Sequence, residues 1–169
     1  MTAPRVGVDL VALSRARQLV DLDHRTILSR MLCSEEIDEC HRAGALDPSA
    51  VAGRLAVKEA VFKLLRTTKP VVPWHDIVVR APAGSWPEVR LNGLAATLAE
   101  ESGLAGPVAV SVSHDGDYAV GVATALAGHD HTTPTITSGN DQRAEEHHHV
   151  PADDHHARRR DEVDSVQTP

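Results

Sequence analysis

From Val6 the chain alternates: Val6, Val8 and Leu10 fall on one side of an extended segment, Gly7 and Asp9 on the other. That period of two predicts a strand with a carboxylate toward its end. "SRARQLVDL" (14–22) and "RTILSRML" (25–32) read as short helical segments. "CSEEIDECHRA" (33–43) opens another helix, with Ser34 as the expected N-cap and Glu35 and Glu36 in the first turn. Asp47-Pro48-Ser49 signals a turn, and a long helical stretch containing "RLAVKEAVFKLL" (54–65) follows it. "HDIVVRA" (75–81) and "PEVRLNG" (87–93) read as strands paired across Ala83-Gly84-Ser85. "LAATLAEESG" (94–103) reads as a helix closed by Gly103. "PVAVSVSH" (107–114) and "DYAVGVATA" (117–125) alternate on either side of Asp115-Gly116, a strong hairpin signal. The order of strand, helices, two strands, helix and two strands predicts an α+β fold with a largely antiparallel sheet packed on a long helix.

That long helix has an unusual pattern. Val51, Leu55, Val57, Val61, Phe62, Leu64 and Leu65 span more than half of its circumference, and Arg54 and Lys58 fall inside this apolar stripe. Glu59, Lys63 and Arg66 form a separate strip beside the small Ala52, Ala56 and Ala60. A helix built for burial therefore carries cations in its apolar face, and a carboxylate with no bulk around it.

Composition divides the chain near Gly128. Beyond residue 130 the larger aliphatics are Ile136, Val150, Val163 and Val166, too few to offset the entropy of ordering. Residues 1–128 are expected to fold, and 129–169 to form a disordered, histidine-rich acidic tail. The tail carries nine acidic residues and four arginines, −5 of the formal −7, so the folded part is nearly balanced. Nothing in that balance points to nucleic acid or a membrane surface. Two cysteines, Cys33 and Cys40, and no secretory leader or long apolar run predict a cytoplasmic protein with free thiols.

Asp9 reads either as an exposed strand end or as a carboxylate that needs a cation or partner. Glu59 and Lys63 have the spacing of an ordinary surface pair, but the neighbouring alanines leave room for a large group to approach. Arg54 and Lys58 either snorkel to water or contact phosphates. His114, in "SVSHDGDYA", is either a surface residue or part of an anion-facing turn. Together these residues supply two hard carboxylates, several cations and one histidine. Two carboxylates suit Mg²⁺, which takes remaining ligands from substrate phosphates, and such a set fits phosphoryl transfer.

"VGVDLVALSR" and "RLAVKEAVFKLL" together resemble the two signatures of the holo-acyl-carrier-protein synthases, members of the 4′-phosphopantetheinyl transferase superfamily. The likeness extends over about residues 5–126 through "DIVVR", "PEVRLNG" and "VSVSHDGDYAVGVATA". It implies the family fold and transfer of the 4′-phosphopantetheine arm of coenzyme A to a serine of an apo acyl-carrier protein. Mg²⁺ is the implied cofactor and adenosine 3′,5′-bisphosphate the product. Asp9 and Glu59 match the metal ligands, with Glu59 also assisting deprotonation. Lys63 matches the lysine that neutralises the leaving group. Arg54, Lys58 and His114 match contacts to the coenzyme's phosphates, and Arg15 a contact to the carrier's acidic helix. The resemblance further implies a homotrimer in which His114 of one chain serves its neighbour's site and Arg54 and Lys58 face a shared cleft.

The chain departs from the family pattern at Leu55, where an aromatic is usual, at Cys33, where a capping threonine is usual, and at Asp115. A carrier-binding module that has lost transfer is the alternative that Leu55 and Asp115 leave open. The tail histidines (His147, His148, His149, His155 and His156) allow a second alternative, loose metal binding.

Overall fold

A computed structural model describes residues 2–21, 25–68, 71, 74–82 and 84–128. The expected tail lies outside these residues. The order is β1 (Thr2–Ala12), α1 (Leu13–Asp21), α2 (Arg25–Met31), α3 (Ser34–Glu39), β2 (His41–Arg42), β3 (Ala45–Leu46) and α4 (Pro48–Leu64). A 3-10 turn (Trp74–Asp76) then leads into β4 (Ile77–Arg80), β5 (Glu88–Leu91), α5 (Gly93–Glu101), β6 (Leu104–Asp115) and β7 (Tyr118–Gly128). The α+β expectation holds, and every described strand pair is antiparallel. The strands form a three-stranded sheet, β1-β7-β6, and two separate two-stranded ribbons. No described helix is long and apolar enough to cross a membrane.

The long helix α4 begins at an Asp47 cap whose Oδ1 accepts from the Ser49 N–H at 2.9 Å, with Pro48 in the first turn. It packs on all three strands of the β1-β7-β6 sheet, at very close range. A Cβ on Gly53 would lie 3.1 Å from Val112 of β6, and one on Gly121 of β7 would overlap the Ala56 carbonyl group. A Cβ on Gly7 of β1 would overlap the Ala60 carbonyl. The alanines of α4 and the small residues Ala119, Gly121, Ala123 and Ala125 on β7 permit this approach, and all the alanines in the contact are buried. Gly121→Ala is therefore expected to destabilise by about 1–3 kcal/mol or more, because backbone must move to admit a methyl group. A lower urea midpoint would register it, and an unchanged midpoint would contradict the close packing.

Two apolar clusters flank α4. Val51, Leu55 and Ala56 pack with Val11, Leu13, Ala16, Leu28 and Leu32 at one end. Val57, Val61, Leu64 and Leu65 pack with Ile77, Val79, Ala95 and Leu98 at the other. Leu55, the departure from the family's aromatic, fills part of the first cluster and is 2% exposed.

Several expectations need correction. In β1 the side buried against α4 holds Arg5, Gly7 and Val11, while Val6, Val8 and Leu10 are 63%, 48% and 56% exposed. The cap of α3 is Cys33, not Ser34: its N–H donates to Glu36 Oε2 at 2.8 Å. That helix ends at Glu39, and a hairpin follows whose turn residues Ala43 and Gly44 have φ of +50° and +85°. Asp115 pairs with Tyr118, so the β6–β7 turn is centred on Gly116-Asp117, one residue later than expected. Gly116, with φ of +52°, supplies the left-handed conformation there.

Candidate active site

Asp9 faces α4 because Gly7, two residues earlier on the same side of β1, admits the helix. Lys63, on the last turn of α4, donates from Nζ to Asp9 Oδ1 at 2.9 Å and to the Val8 carbonyl at 2.6 Å. The lysine side chain remains half exposed and Asp9 less so. Glu59 stands one turn before Lys63 and is partly buried. Burial first, then the nearby Asp9 charge, push its carboxyl above the ordinary range, against the pull of Arg15 and Lys63. Asp9, Glu59, Lys63 and the exposed Arg15 of α1 thus gather at one edge of the sheet.

Among the described residues Glu59 makes no hydrogen bond or ion pair. A partly buried carboxylate without a donor, beside a second carboxylate, is an arrangement that a bound cation would relieve. No group of three or more His, Cys, Asp or Glu gathers among the described residues to hold a metal. The protein therefore offers two carboxylates, the number with which Mg²⁺ retains water or substrate oxygens.

The raised value of Glu59 has a thermodynamic sign. Below the unfolded value of 4.5 the group is protonated in both states, and its contribution to stability is fully present. As pH rises through the higher folded value that contribution is lost, so ionised Glu59 strains the fold at neutrality. Glu59→Gln is expected to melt higher than the parent at pH 7, with the difference closing as pH falls below 4.5. A pH series of melting curves checks it; equal stability at pH 7 would count against the crowded carboxylates.

His114 lies elsewhere. It sits on β6, and its Nε2 donates to the Ser49 carbonyl at 3.0 Å, at the start of α4. Ten residues of helix separate Ser49 from Glu59, about 15 Å at 1.5 Å per residue. Within one chain, His114 and the Asp9–Glu59–Lys63 group flank opposite ends of α4. His114, Gly53, Arg54, Arg42, Ala81 and Val112 line a cavity of about 130 Å³.

Lys58 and Arg54 do not lie open on the surface of α4. Both are buried within the single chain, at 0% and 5% exposure. Lys58 Nζ donates to Glu36 Oε2 and to the Trp74 carbonyl, each at 2.8 Å. Glu36 is itself fully buried, and its Oε1 also accepts from the Val79 N–H at 2.8 Å. Burial pulls the Lys58 ammonium below its ordinary value, against the Glu36 charge. Lys58 therefore belongs to an internal ion pair within the single chain. Arg54 Nη2 donates to Glu39 Oε2 at 3.0 Å, but Arg54 also borders the cavity beside His114. The cations in the apolar stripe are matched by two carboxylates three apart on α3. The spacing of Glu36 and Glu39 against that of Arg54 and Lys58 was the available sequence signal for this ladder.

Residues 5–123 match the 4′-phosphopantetheinyl transferase superfamily. A holo-[acyl-carrier-protein] synthase of Desulforudis audaxviator is 40% identical over 72% of this chain and 91% of its own length. One from Moorella thermoacetica is 36% identical over 69% and 89%. The Chronobacterium ammoniagenes ACPS–CoA complex superposes with a TM-score of 0.62 at 29% identity, covering 75% of this chain and 99% of the other. The chain belongs to the 4′-phosphopantetheinyl transferase superfamily.

Proposed function

We propose that the protein transfers the 4′-phosphopantetheine arm of coenzyme A to a serine of an apo acyl-carrier protein and releases adenosine 3′,5′-bisphosphate. The observation that carries this reading is the Asp9–Lys63–Glu59 group, which joins two crowded carboxylates to an accessible ammonium. Asp9 and Glu59 would hold Mg²⁺, which supplies charge neutralisation to the pyrophosphate when bound. Glu59 also assists removal of the serine proton through a water. The serine oxygen bonds to the pantetheine-bearing phosphorus as that phosphorus parts from the bridging oxygen. The electron pair leaves on the adenosine bisphosphate, whose charge Lys63 neutralises. Arg54 and His114 bind coenzyme phosphates at the cavity they share, and Arg15, exposed beside Glu59, meets the acidic helix of the carrier. Incubating apo carrier with coenzyme A and Mg²⁺ tests this by gel shift; unmodified carrier would overturn it. The work belongs to the cytoplasm, where the free thiols Cys33 and Cys40 stay reduced.

A homotrimer completes the reading. Two features support it: the distance between His114 and Glu59 along α4, and the apolar face that Val6, Val8, Leu10 and Leu126 leave exposed. If His114 serves the neighbouring chain, proteins carrying Glu59→Ala and His114→Ala are expected to complement when co-refolded. Some interfaces of a mixed trimer would then hold an intact copy of both residues. Activity above that of either parent supports the shared site, whereas none in verified mixed trimers removes it.

A further inference from the structure

Glu39 joins three segments. Its Oε2 accepts from Arg54 Nη2 at 3.0 Å and from the Ala81 N–H at 2.8 Å, while Oε1 accepts from Arg80 Nε at 2.6 Å. The remaining contacts of the Arg54 guanidinium are two backbone carbonyls, Ala50 and Ala81, each at the long distance of 3.4 Å. Among the described residues its Nε is buried with no partner. The strong, charge-assisted contact that fixes this side chain is therefore Glu39.

We propose that Glu39 is a positioning residue for the coenzyme, holding the Arg54 guanidinium against the cavity that Arg54 shares with Arg42 and His114. This rests on the reading that the cavity takes a coenzyme phosphate. The charge balance favours an anion there. Lys58 and Glu36 match one to one, which leaves that pair neutral and closed. Glu39 is instead shared by two guanidiniums, Arg54 and Arg80, so the trio keeps a net positive charge beside the cavity. Burial would raise the Glu39 carboxyl, but the Ala81 N–H and the two arginines outweigh it and hold it below its ordinary value. The carboxylate is thus ionised at neutral pH, as the role requires.

Steady-state transfer with varied coenzyme A tests the proposal in Glu39→Ala, Glu39→Gln, Arg54→Ala and the Glu39→Ala/Arg54→Ala double variant. Glu39→Ala is expected to raise the coenzyme KM about tenfold with little change in kcat or in the carrier KM, as loss of an oriented charge contact would. Arg54→Ala should raise it at least as much, and the double variant no further, because one residue acts through the other. An unchanged coenzyme KM in either single variant, additive effects in the double, or a loss confined to kcat would overturn the assignment. Glu39→Gln keeps an acceptor oxygen and carries the test if the alanine variant does not fold; its KM should lie between the two. Calorimetric titration of coenzyme A reads the same contrast without turnover. A parent chain that binds coenzyme A but leaves apo carrier unmodified would therefore count against the proposed function and not against Glu39.

Discussion

Replacing Asp9 or Glu59 by alanine is expected to lower phosphopantetheine transfer by a factor of about 100 or more, the scale of losing a ligand to a catalytic metal. The two losses should look alike although the residues lie 50 positions apart, on a strand and a helix. Neither change should unfold the protein. Asp9 is partly exposed, and Glu59 makes no hydrogen bond or ion pair among the described residues. After Asp9→Ala, Lys63 still has the Val8 carbonyl as acceptor. Gel-shift rates against apo carrier, with melting curves on the same samples, separate chemistry from folding. Near-parental turnover in either variant would remove the metal assignment.

Glu36→Ala is expected to have the opposite profile, a destabilisation of about 3–5 kcal/mol. The carboxylate accepts from Lys58 Nζ, the Val79 N–H and the Cys33 N–H. Removing it leaves the buried Lys58 ammonium with the Trp74 carbonyl as its remaining acceptor, and takes the acceptor from the buried Val79 N–H and the part-buried Cys33 N–H. Natural domains are stable by only about 5–15 kcal/mol, so a loss of this size approaches unfolding. Adding Lys58→Met should recover much of it, because a well-packed apolar pair can replace a buried ion pair at little cost. Urea denaturation measures both, and a loss under about 1 kcal/mol for Glu36→Ala would contradict the buried ladder.

The elements that were legible are those with a clean local period. The alternation of β6 and β7, the hairpin strands β4 and β5 and the Gly103 stop after α5 all followed from neighbours in sequence. Asp9, Glu59 and Lys63 were legible as candidates for a similar reason, since a carboxylate in an apolar strand and a charged strip among alanines are local anomalies. What failed was non-local. The partners of Lys58 and Arg54 lie 22 and 15 residues back on another helix, so only a comparison of spacings between the two helices, not a local period, could pair them. The β2–β3 hairpin escaped because Ala43 occupies a left-handed turn position that usually signals itself with Asn or Gly. The face of β1 was ambiguous for a different reason. Val6, Val8 and Leu10 form the more apolar side, yet the backbone of α4 needs the side where Gly7 carries no side chain.

The pairing of β1 with β7 ties the beginning of the described region to its end: Thr2 lies opposite Gly128, and Asp9 opposite Gly121. During synthesis the first strand leaves the ribosome more than a hundred residues before its hydrogen-bonding partner exists. Until β7 emerges, the apolar Val6–Leu10 run waits as an unpaired edge, a segment that invites aggregation or chaperone capture. So large a sequence separation also carries a loop-closure cost and slows the final step of folding. One of the two carboxylates proposed to bind metal lies opposite Gly121 of β7, the last described strand, so a nascent chain that still lacks β7 is expected to be catalytically silent.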